Sequence, residues 1–203
     1  MISKVENLKK KFNSGWQVPN FEIVFLKKQT SKIALIIPVI NEGENIISLI
    51  KRINKLLIYN HVDILIIDGG SKDNSLEINF LKDNNINALI EKKGNGKLSS
   101  QLRIGYALSI VLGYDSIITI DGNNKDDPKY ILDFMVELEK GYDMVQATRF
   151  SKGGSHKNTP LSRYLAIRIF HAPILSFASG FNWSDTTQGF RGYSKRLYHY
   201  LYK

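Results

Sequence analysis

Residues 33–38 of the 203-residue chain read IALIIP, and this run is the strongest indication of the fold in the sequence. Five consecutive apolar residues that end at Pro38 are typical of a strand buried on both of its faces. Residues 63–67 read DILII and stop at Asp68, so they predict a second strand of the same kind. Shorter strands are predicted at residues 88–90, 116–120 and 144–147.

Helices are predicted between these strands, at residues 45–58, 97–112 and 127–141. The last of them opens with Asp127 and Pro128, an N-cap followed by proline at the first helical position. A further helix after residue 67 is expected to be capped by Ser71 or Asp73. Strands that alternate with helices predict an α/β fold, with a mainly parallel central sheet and helices on both faces.

Composition excludes several classes of protein. The chain has no cysteine, which excludes a disulfide scaffold, an iron–sulfur centre, a thiolate zinc site and a cysteine nucleophile. The longest nearly uncharged apolar stretch, residues 169–181, is well short of the roughly 20 residues that span a bilayer. No secretory signal is visible at the N-terminus. We therefore expect a cytoplasmic protein.

The net charge of +9 is unevenly distributed along the chain. Residues 1–32 carry seven Lys or Arg and two acids, and residues 33–146 carry twelve against sixteen. Residues 147–203 carry nine against a single acid, Asp185. A basic end beside an acidic middle indicates an anionic partner such as a phosphate or a lipid surface, the alternative being a solvated basic face. Nucleic acid is not expected, because it would leave the acidic strand ends unexplained.

Polar residues follow the predicted strands directly. In parallel α/β sheets ligands bind at the carboxyl ends of the strands, and those ends hold Asn41, Glu42, Asp68, Asp73 and Asp121. Carboxylates there suit hydrogen bonds to a ribose or base, a divalent metal, or a general base. The loop KKGNGK at residues 92–97 offers backbone N–H groups and cations at a helix start, which suits phosphate. Together these features favour a nucleoside diphosphate with a metal.

Several short segments follow one another in a characteristic order. They are IPVINE at 37–42, IDGGSKD at 67–73, Lys97 with GYA at 105–107, DGN at 121–123 with DDP at 126–128, TRF at 148–150, Gly153-Gly154, Arg163, and DTTQGFR at 185–191. In this order they resemble the family 2 glycosyltransferases with the A-type nucleotide-sugar (GT-A) fold. The branch they most resemble is the dolichol-phosphate mannosyltransferase type, which loads a sugar onto a polyprenyl phosphate. The resemblance covers about residues 32–198, so we assign residues 32–203 to a glycosyltransferase domain and residues 1–31 to an arm or cap.

The resemblance implies roles for individual residues. The residues expected to bind the nucleotide sugar are Pro38, Asn41, Glu42, Asp68, Gly70, Lys97, Asp121, Gly122 and Asn123. The residues expected to bind the acceptor phosphate are Arg149, Arg163 and Arg191, whose guanidinium groups match phosphate oxygens in bidentate fashion. The residues expected to be catalytic are Asp121, Arg149, Arg163 and Asp185. A Mg²⁺ or Mn²⁺ ion would be held by Asp121 and Asn123.

The chain departs from the family's pattern at three positions. Asn123 stands where the family usually has a second aspartate, and Lys125 stands where a further polar ligand is common. A cation at Lys125 would partly replace metal charge on the diphosphate. Gly69 stands where many relatives carry an aspartate that contacts the base.

The acceptor can be argued from the scarcity of carboxylates. A sugar hydroxyl needs a general base, whereas a phosphate oxygen is already anionic at neutral pH. Residues 144–203 contain one carboxylate, Asp185. This scarcity favours a phosphate acceptor. Together with it, the family resemblance implies an inverting transfer, by one direct displacement, from a UDP- or GDP-sugar to a polyprenyl phosphate. The alternative is a sugar-hydroxyl acceptor in capsule, lipopolysaccharide or other surface-glycan assembly, with Asp185 as the candidate base.

The apolar stretch at residues 169–181 lies beside Arg163 and Arg168. One interpretation is an interfacial surface that contacts the inner leaflet of the membrane, where a lipid phosphate would lie. The other interpretations are a contact in a homodimer and a buried helix.

Overall fold

A seven-stranded sheet forms the centre of the computed structural model, which describes residues 14–150 and 160–201. The strands are β1 Phe21–Leu26, β2 Ile33–Val39, β3 Asp63–Asp68, β4 Ala88–Lys92, β5 Ser116–Thr119, β6 Met144–Gln146 and β7 Arg191–Ser194. Their order across the sheet is β1-β4-β3-β2-β5-β7-β6. The four central strands, β4, β3, β2 and β5, are parallel to one another. The mainly parallel sheet predicted from the sequence is confirmed.

Helices cover both faces of this sheet. They are α1 Glu44–Lys55, α2 Ile78–Asp83, α3 Leu98–Leu112, α4 Ile131–Glu139, α5 Leu161–Leu165, α6 Ala172–Ser179 and α7 Lys195–Leu201. A π-helix at Ala166–His171 joins α5 to α6, and 3₁₀ turns lie at Ser14–Trp16, Ile58–Asn60 and Pro128–Tyr130. Buried side chains of α1 and α4 share one core, and those of α3 and α7 share the other. This two-faced arrangement was expected from the alternation of strands and helices.

The central strand β2 supplies side chains to both cores. Leu35, Ile37 and Val39 belong to the core under α1, while Ala34 and Ile36 belong to the core under α3. Successive side chains of a strand point to opposite faces, so a strand covered on both sides must be apolar throughout. The uninterrupted run at residues 33–37 is therefore explained by its position in the middle of the sheet.

Residues 21–26 of the segment expected to be an arm or cap form β1, which pairs antiparallel with β4 at one edge of the sheet. Phe21, Ile23 and Phe25 are buried and alternate with more exposed residues. Phe21 and Ile23 belong to the core under α3, whereas Phe25, which follows an irregularity in the pairing, belongs to the core under α1. Residues 21–26 are thus an integral part of the sheet, and the division at residue 31 stays a prediction. Residues 1–13 lie outside the described part.

The predicted cap of the helix after β3 is wrong. Helix α2 begins only at Ile78, and the side chain of Glu77 caps it by accepting hydrogen bonds from the N–H groups of Asn79 and Phe80, at 3.0 and 2.6 Å. Ser71 and Asp73 lie earlier, in the loop after β3, where their side chains bind other groups of the site. Asp127 does act as the predicted N-cap, accepting from the N–H of Lys129 at 3.2 Å before the turn into α4.

The segment from α5 to α6 presents a row of apolar side chains to solvent. Exposed members are Leu161, Leu165, Ile169, Phe170, Ile174, Leu175 and Phe177, and Phe177 is 94% exposed. We call these seven residues the apolar helical face. The interpretation of this stretch as a buried helix is therefore wrong. Among the described residues, no helix combines the length and apolar character that a membrane crossing requires.

Candidate functional site

The loops after β2 and β3 are locked together at the carboxyl edge of the sheet. The N–H of Asn41 donates to the hydroxyl of Ser71 at 2.9 Å, and the side-chain oxygen of Asn41 accepts from the N–H of Lys72 at 2.8 Å. The N–H of Gly43 donates to the carboxylate of Asp73 at 2.8 Å. Asn41 and Asp73 therefore serve to fix the two loops relative to each other.

Asp68 shapes the second of these loops. It is 8% exposed and accepts from both the N–H and the hydroxyl of Ser71, at 2.9 and 2.7 Å. Gly70 follows with φ of 99°, a conformation that residues with a side chain rarely adopt. The predicted nucleotide-binding residues Asp68 and Gly70 thus form one tight turn.

An open cavity of about 360 Å³ lies beside this turn. Its lining is Val24, Asp68, Ser71, Asp73, Asn74, Leu76, Glu77, Ile78, Leu89 and Glu91. The volume is within the range of small-molecule pockets, and the lining combines apolar walls with carboxylates and hydroxyl groups. Those groups can accept or exchange hydrogen bonds with a nucleoside.

Gln101 of α3 hydrogen-bonds to the ends of both β2 and β3. Its buried side-chain amide donates to the carbonyl oxygens of Val39 and Ile67, at 2.7 and 2.8 Å. The sequence interpretation missed this residue. Its signal is a glutamine at helical spacing from Ile104 and Leu108 on the buried face of α3. A polar side chain on such a face is informative, because burial requires hydrogen-bond partners for it.

Asp121 follows β5 and lies next to the end of β2. The N–H of Gly122 donates to the carbonyl of Pro38 at 3.3 Å, and Glu42 lies half-buried beside Gly122. A Cβ atom on Gly189 would lie 3.2 Å from both carboxylate oxygens of Asp121, so a larger residue there would press against this carboxylate. Burial raises the pKa of Asp121, and the charge of Lys125 opposes that rise. In residues 14–150 and 160–201 no group donates a hydrogen bond to this carboxylate.

The rest of the loop after Asp121 is firmly held. Arg52 of α1 donates to the side-chain oxygen of Asn124 at 2.8 Å and to the carboxylate of Asp127 at 2.9 Å. The side-chain oxygen of Asn123 accepts from the N–H of Lys125 at 3.1 Å, which closes a local turn. Asn123 is therefore directed at its own loop.

Asp126 is a second carboxylate of this loop that the sequence interpretation did not assign to the site. Gln188 donates to it at 2.7 Å. Burial and then the charge of Asp121 raise its pKa, while Gln188, Arg149 and Lys125 act in the opposite direction. Asp126 thus lies where the loop after β5 meets the segment before β7.

Asp185 and Arg149 form a buried ion pair on the other side of the site. Arg149 donates from Nε and Nη2 to the two carboxylate oxygens, at 2.7 and 3.1 Å, and Thr187 donates its N–H at 3.0 Å. Asp185 is 1% exposed. Burial alone would raise its pKa, but the hydrogen bonds from Arg149 and Thr187 outweigh burial and hold the pKa below its usual value. The same bonds raise the pKa of Arg149 and fix its guanidinium in place.

The amino-acid sequence of this chain is similar to known proteins along most of its length. The family model described as "Glycosyl transferase family 2" matches residues 34–201. The chain belongs to glycosyl transferase family 2.

Two curated relatives of this family 2 chain act on lipid phosphates, according to their names. This chain is 28% identical over 176 residues to the undecaprenyl-phosphate 4-deoxy-4-formamido-L-arabinose transferase of Yersinia enterocolitica. The match covers 84% of this chain and 51% of that protein. The chain is 22% identical over 173 residues to the polyprenol monophosphomannose synthase of Mycolicibacterium smegmatis, covering 84% of this chain and 64% of that protein. The chain therefore spans between half and two thirds of the length of these relatives.

Solved structures of glucosyl-3-phosphoglycerate synthase from Mycobacterium tuberculosis share the fold. The complex with phosphoglyceric acid has a TM-score of 0.58 at 17% identity, over 97% of this chain and 62% of that one. The complex with Mn²⁺, UDP and glucosyl-3-phosphoglycerate has a TM-score of 0.57 at 14% identity, over the same shares. The expected GT-A fold is confirmed, and structures with this fold hold Mn²⁺ together with UDP.

The remaining predicted site residues of this glycosyltransferase family member fall in different places. Arg191 donates to the carbonyl oxygens of Gln188 and Thr186, at 2.8 and 3.3 Å, so it supports the segment before β7. Lys97 is exposed at the residue before α3. Arg163 lies in α5, and its side chain is outside the described part, as are Gly153 and Gly154.

Asp121 and Asn123 are a poor fit for the expected Mg²⁺ or Mn²⁺ ion. Asn123 offers a neutral oxygen that already accepts a hydrogen bond from Lys125, and the lysine charge acts on Asp121 itself. Among the described residues no group of three or more His, Cys, Asp or Glu side chains is arranged to hold a metal. Divalent cations of this kind prefer anionic oxygen ligands, and a neighbouring ammonium repels them.

Proposed function

We propose that this chain transfers a sugar, with inversion, from a nucleoside-diphosphate sugar to a polyprenyl phosphate. The observation that carries the proposal is the state of Asp185. It is the one carboxylate in residues 144–203, and Arg149 and Thr187 occupy both of its oxygens. A general base for a hydroxyl acceptor must be free to take a proton, so this half of the site suits an acceptor that is already anionic.

The donor occupies the carboxyl edge of the sheet. Its nucleoside lies in the cavity beside Asp68 and Ser71, where carboxylate and hydroxyl groups meet the ribose and the base. Its diphosphate lies at the loop that begins with Asp121, next to Pro38 and Gly122. The presence of UDP in solved structures of this fold supports a nucleoside-diphosphate donor, and we propose either UDP or GDP as its nucleotide.

The acceptor phosphate lies against Arg149. Asp185 positions that guanidinium by accepting from Nε and Nη2, and Thr187 accepts from Nη2 as well, so Nη1 is the nitrogen that donates to a phosphate oxygen. A phosphate oxygen attacks the anomeric carbon, and the bond from that carbon to the donor diphosphate breaks on the opposite face. The nucleoside diphosphate leaves with the bonding electrons. No proton has to be removed from the acceptor, and a single displacement inverts the anomeric configuration.

The apolar helical face brings the lipid acceptor to the site. Its exposed aromatic and aliphatic residues accompany a C-terminal third that carries nine cations and one acid. An apolar face flanked by cations suits the surface of an anionic membrane. We place the protein on the cytoplasmic side, in peripheral contact with the inner face of the membrane. A homodimer that buries the same face is the competing arrangement.

Asp126 supports the alternative of a sugar-hydroxyl acceptor. Its pKa is raised by burial and by Asp121, which makes it a better proton acceptor than an ordinary aspartate. Arg149 is close enough to act on its charge. In that case Asp126 rather than Asp185 is the base.

Incorporation of radiolabelled sugar tests the proposal. The protein is incubated with labelled UDP- and GDP-sugars and undecaprenyl phosphate, and label is counted in the organic extract. We expect label in the extract with one donor and its loss in Arg149→Ala. Arg196→Ala is the matched control, because exposed Arg196 pairs with half-buried Asp143 at the opposite end of the sheet. Label found only in a water-soluble glycan contradicts the lipid acceptor and favours the alternative.

A further inference from the structure

We propose that the ammonium group of Lys125 takes the place of a divalent cation at the donor diphosphate, so that nucleoside diphosphates bind this chain without metal. The inference rests on the proposed function, because it concerns the same donor site. It is argued from the loop at residues 121–126, which holds three mutually interacting charged groups, Asp121, Lys125 and Asp126.

The amide of Asn123 is engaged within its own loop. The side-chain oxygen of Asn123 accepts the N–H of Lys125 at 3.1 Å. Asn124 adopts φ of 56° and is held by Arg52. The side-chain oxygens of the two asparagines therefore each accept a hydrogen bond within the protein, and as neutral amides they add no negative charge to a metal site.

Lys125 is the cation that this turn presents. It is exposed, and in the two described ranges its ammonium forms neither an ion pair nor a hydrogen bond. Its charge acts on Asp121 and on Asp126, so the ammonium lies within electrostatic reach of both carboxylates. A side chain with this freedom can bind an incoming phosphate group without breaking an existing contact.

The leaving group of the reaction calls for a nearby positive charge, which the ammonium of Lys125 can supply. A nucleoside diphosphate gains negative charge as the sugar departs, and a nearby cation stabilises that charge. Lysine acts on phosphate as a point charge with three donors. A divalent ion between Asp121 and the diphosphate would lie close to the ammonium, and the repulsion between them weakens metal binding. Lys125 and a metal are thus alternatives at this position.

Nucleotide binding in the presence of EDTA tests the inference directly. We measure dissociation constants of UDP and GDP by calorimetry in EDTA and again with Mn²⁺. The expected result is binding in EDTA by one of them, with less than about a threefold gain on adding Mn²⁺. In Lys125→Gln, the affinity in EDTA should fall by about tenfold or more, since a charge-assisted hydrogen bond is lost. Lys125→Gln should melt at the wild-type temperature, because Lys125 is exposed and unpaired within the described residues.

Two further variants sharpen the test. Lys129→Gln is the matched control, because Lys129 lies four residues on, is exposed, and pairs with Asp127; its affinity should match the wild type. Asn123→Asp combined with Lys125→Gln should bind nucleotide only when Mn²⁺ is present. Wild-type binding that requires Mn²⁺, or a Lys125→Gln variant that binds normally in EDTA, overturns the inference while leaving the donor assignment intact. Failure of every nucleotide to bind in both conditions overturns the proposed function as well.

Discussion

Two aspartates of the site have their pKa values moved in opposite directions by their surroundings. Burial raises the pKa of Asp121, which has no hydrogen-bond donor in the described residues. Asp185 is buried as well, but Arg149 and Thr187 hold its pKa below the usual value. The ionised form of Asp121 therefore destabilises the folded protein, whereas the ionised form of Asp185 stabilises it. This distinction leads to opposite expectations for the two corresponding asparagine variants.

Asp121→Asn should abolish sugar transfer without lowering stability. The raised pKa means that the folded protein binds the proton more tightly than the unfolded chain, so the ionised form destabilises the fold above that pKa. An amide removes this penalty at neutral pH. We expect a melting temperature equal to or above that of the wild type, together with a loss of activity, because the carboxylate of Asp121 interacts with the charge of Lys125 and so helps to hold that ammonium at the donor diphosphate. A variant with normal turnover would show that Asp121 takes no part in the transfer.

Asp185→Asn should be destabilising at neutral pH. Breaking a buried ion pair leaves the guanidinium of Arg149 without its partner, at a cost of about 3 kcal/mol. Because the folded pKa of Asp185 lies below its unfolded value, its contribution is complete above the unfolded pKa and is lost as pH falls through the folded pKa. Urea unfolding of both proteins at neutral and acid pH measures this, and the difference between them should shrink in acid. Asp143→Asn, which breaks an exposed pair with Arg196, should have a much smaller effect at either pH.

The carboxyl edge of the sheet depends on one contact made by α3. Gln101 supplies two hydrogen bonds to the ends of β2 and β3, and both loops of the donor site begin within two residues of those ends. A helix on one face of the sheet therefore sets the spacing of the two loops that we assign to donor binding. Substitution of this residue should affect stability and donor binding together.

Gln101→Leu should lower the free energy of unfolding by about 1–3 kcal/mol, the cost of a lost donor to a buried carbonyl. The apolar side chain fits a buried helix face, but it removes the donor to Ile67 and one of two donors to Val39, whose carbonyl still accepts from the N–H of Gly69 at 2.7 Å. Ser99→Leu on the exposed side of the same helix is the control and should unfold like the wild type. Equal urea midpoints for the two variants would show that the amide contributes nothing.

The elements differed in how far the sequence could predict them. The parallel strands and α1, α3 and α4 were predictable, because continuous apolar runs and helical spacing are local signals. Strand β7 was not, since Arg191–Ser194 carries no alternation and its place depends on pairing with β5 and β6. The hydrogen-bonded pairs in the site likewise depend on contacts between residues distant in sequence. Asp126 and Gln188 are 62 positions apart, and Arg149 and Asp185 are 36 apart, so only the folded chain brings them together.

At the scale of the whole molecule, charge and apolar surface coincide in the C-terminal third. The strand ends of the donor half are acidic, while residues 147–203 are strongly basic. The apolar helical face belongs to the basic part. A membrane with anionic headgroups would attract this part of the protein and leave the donor half in solution.

Vesicle binding tests this arrangement. The protein should sediment with vesicles that contain anionic phospholipid at low salt, and Phe170→Ser combined with Phe177→Ser should weaken binding by about tenfold or more, given the apolar area removed. Tyr142→Ser, at an exposed aromatic outside this face, should bind like the wild type. No sedimentation at low salt, together with a dimer in analytical ultracentrifugation that the double variant dissociates, would assign the face to a second copy instead.

The position of β7 between β5 and β6 has a consequence for biosynthesis. In the sheet, β6 is hydrogen-bonded to β7 and to no other described strand. A ribosome makes β6 well before β7, so the nascent chain holds an unpaired strand and an open edge on β5 while the next segment is translated. That segment includes the apolar helical face. The growing polypeptide therefore passes through a period in which strand edges and apolar surface are accessible together, the condition under which nascent chains aggregate or recruit chaperones.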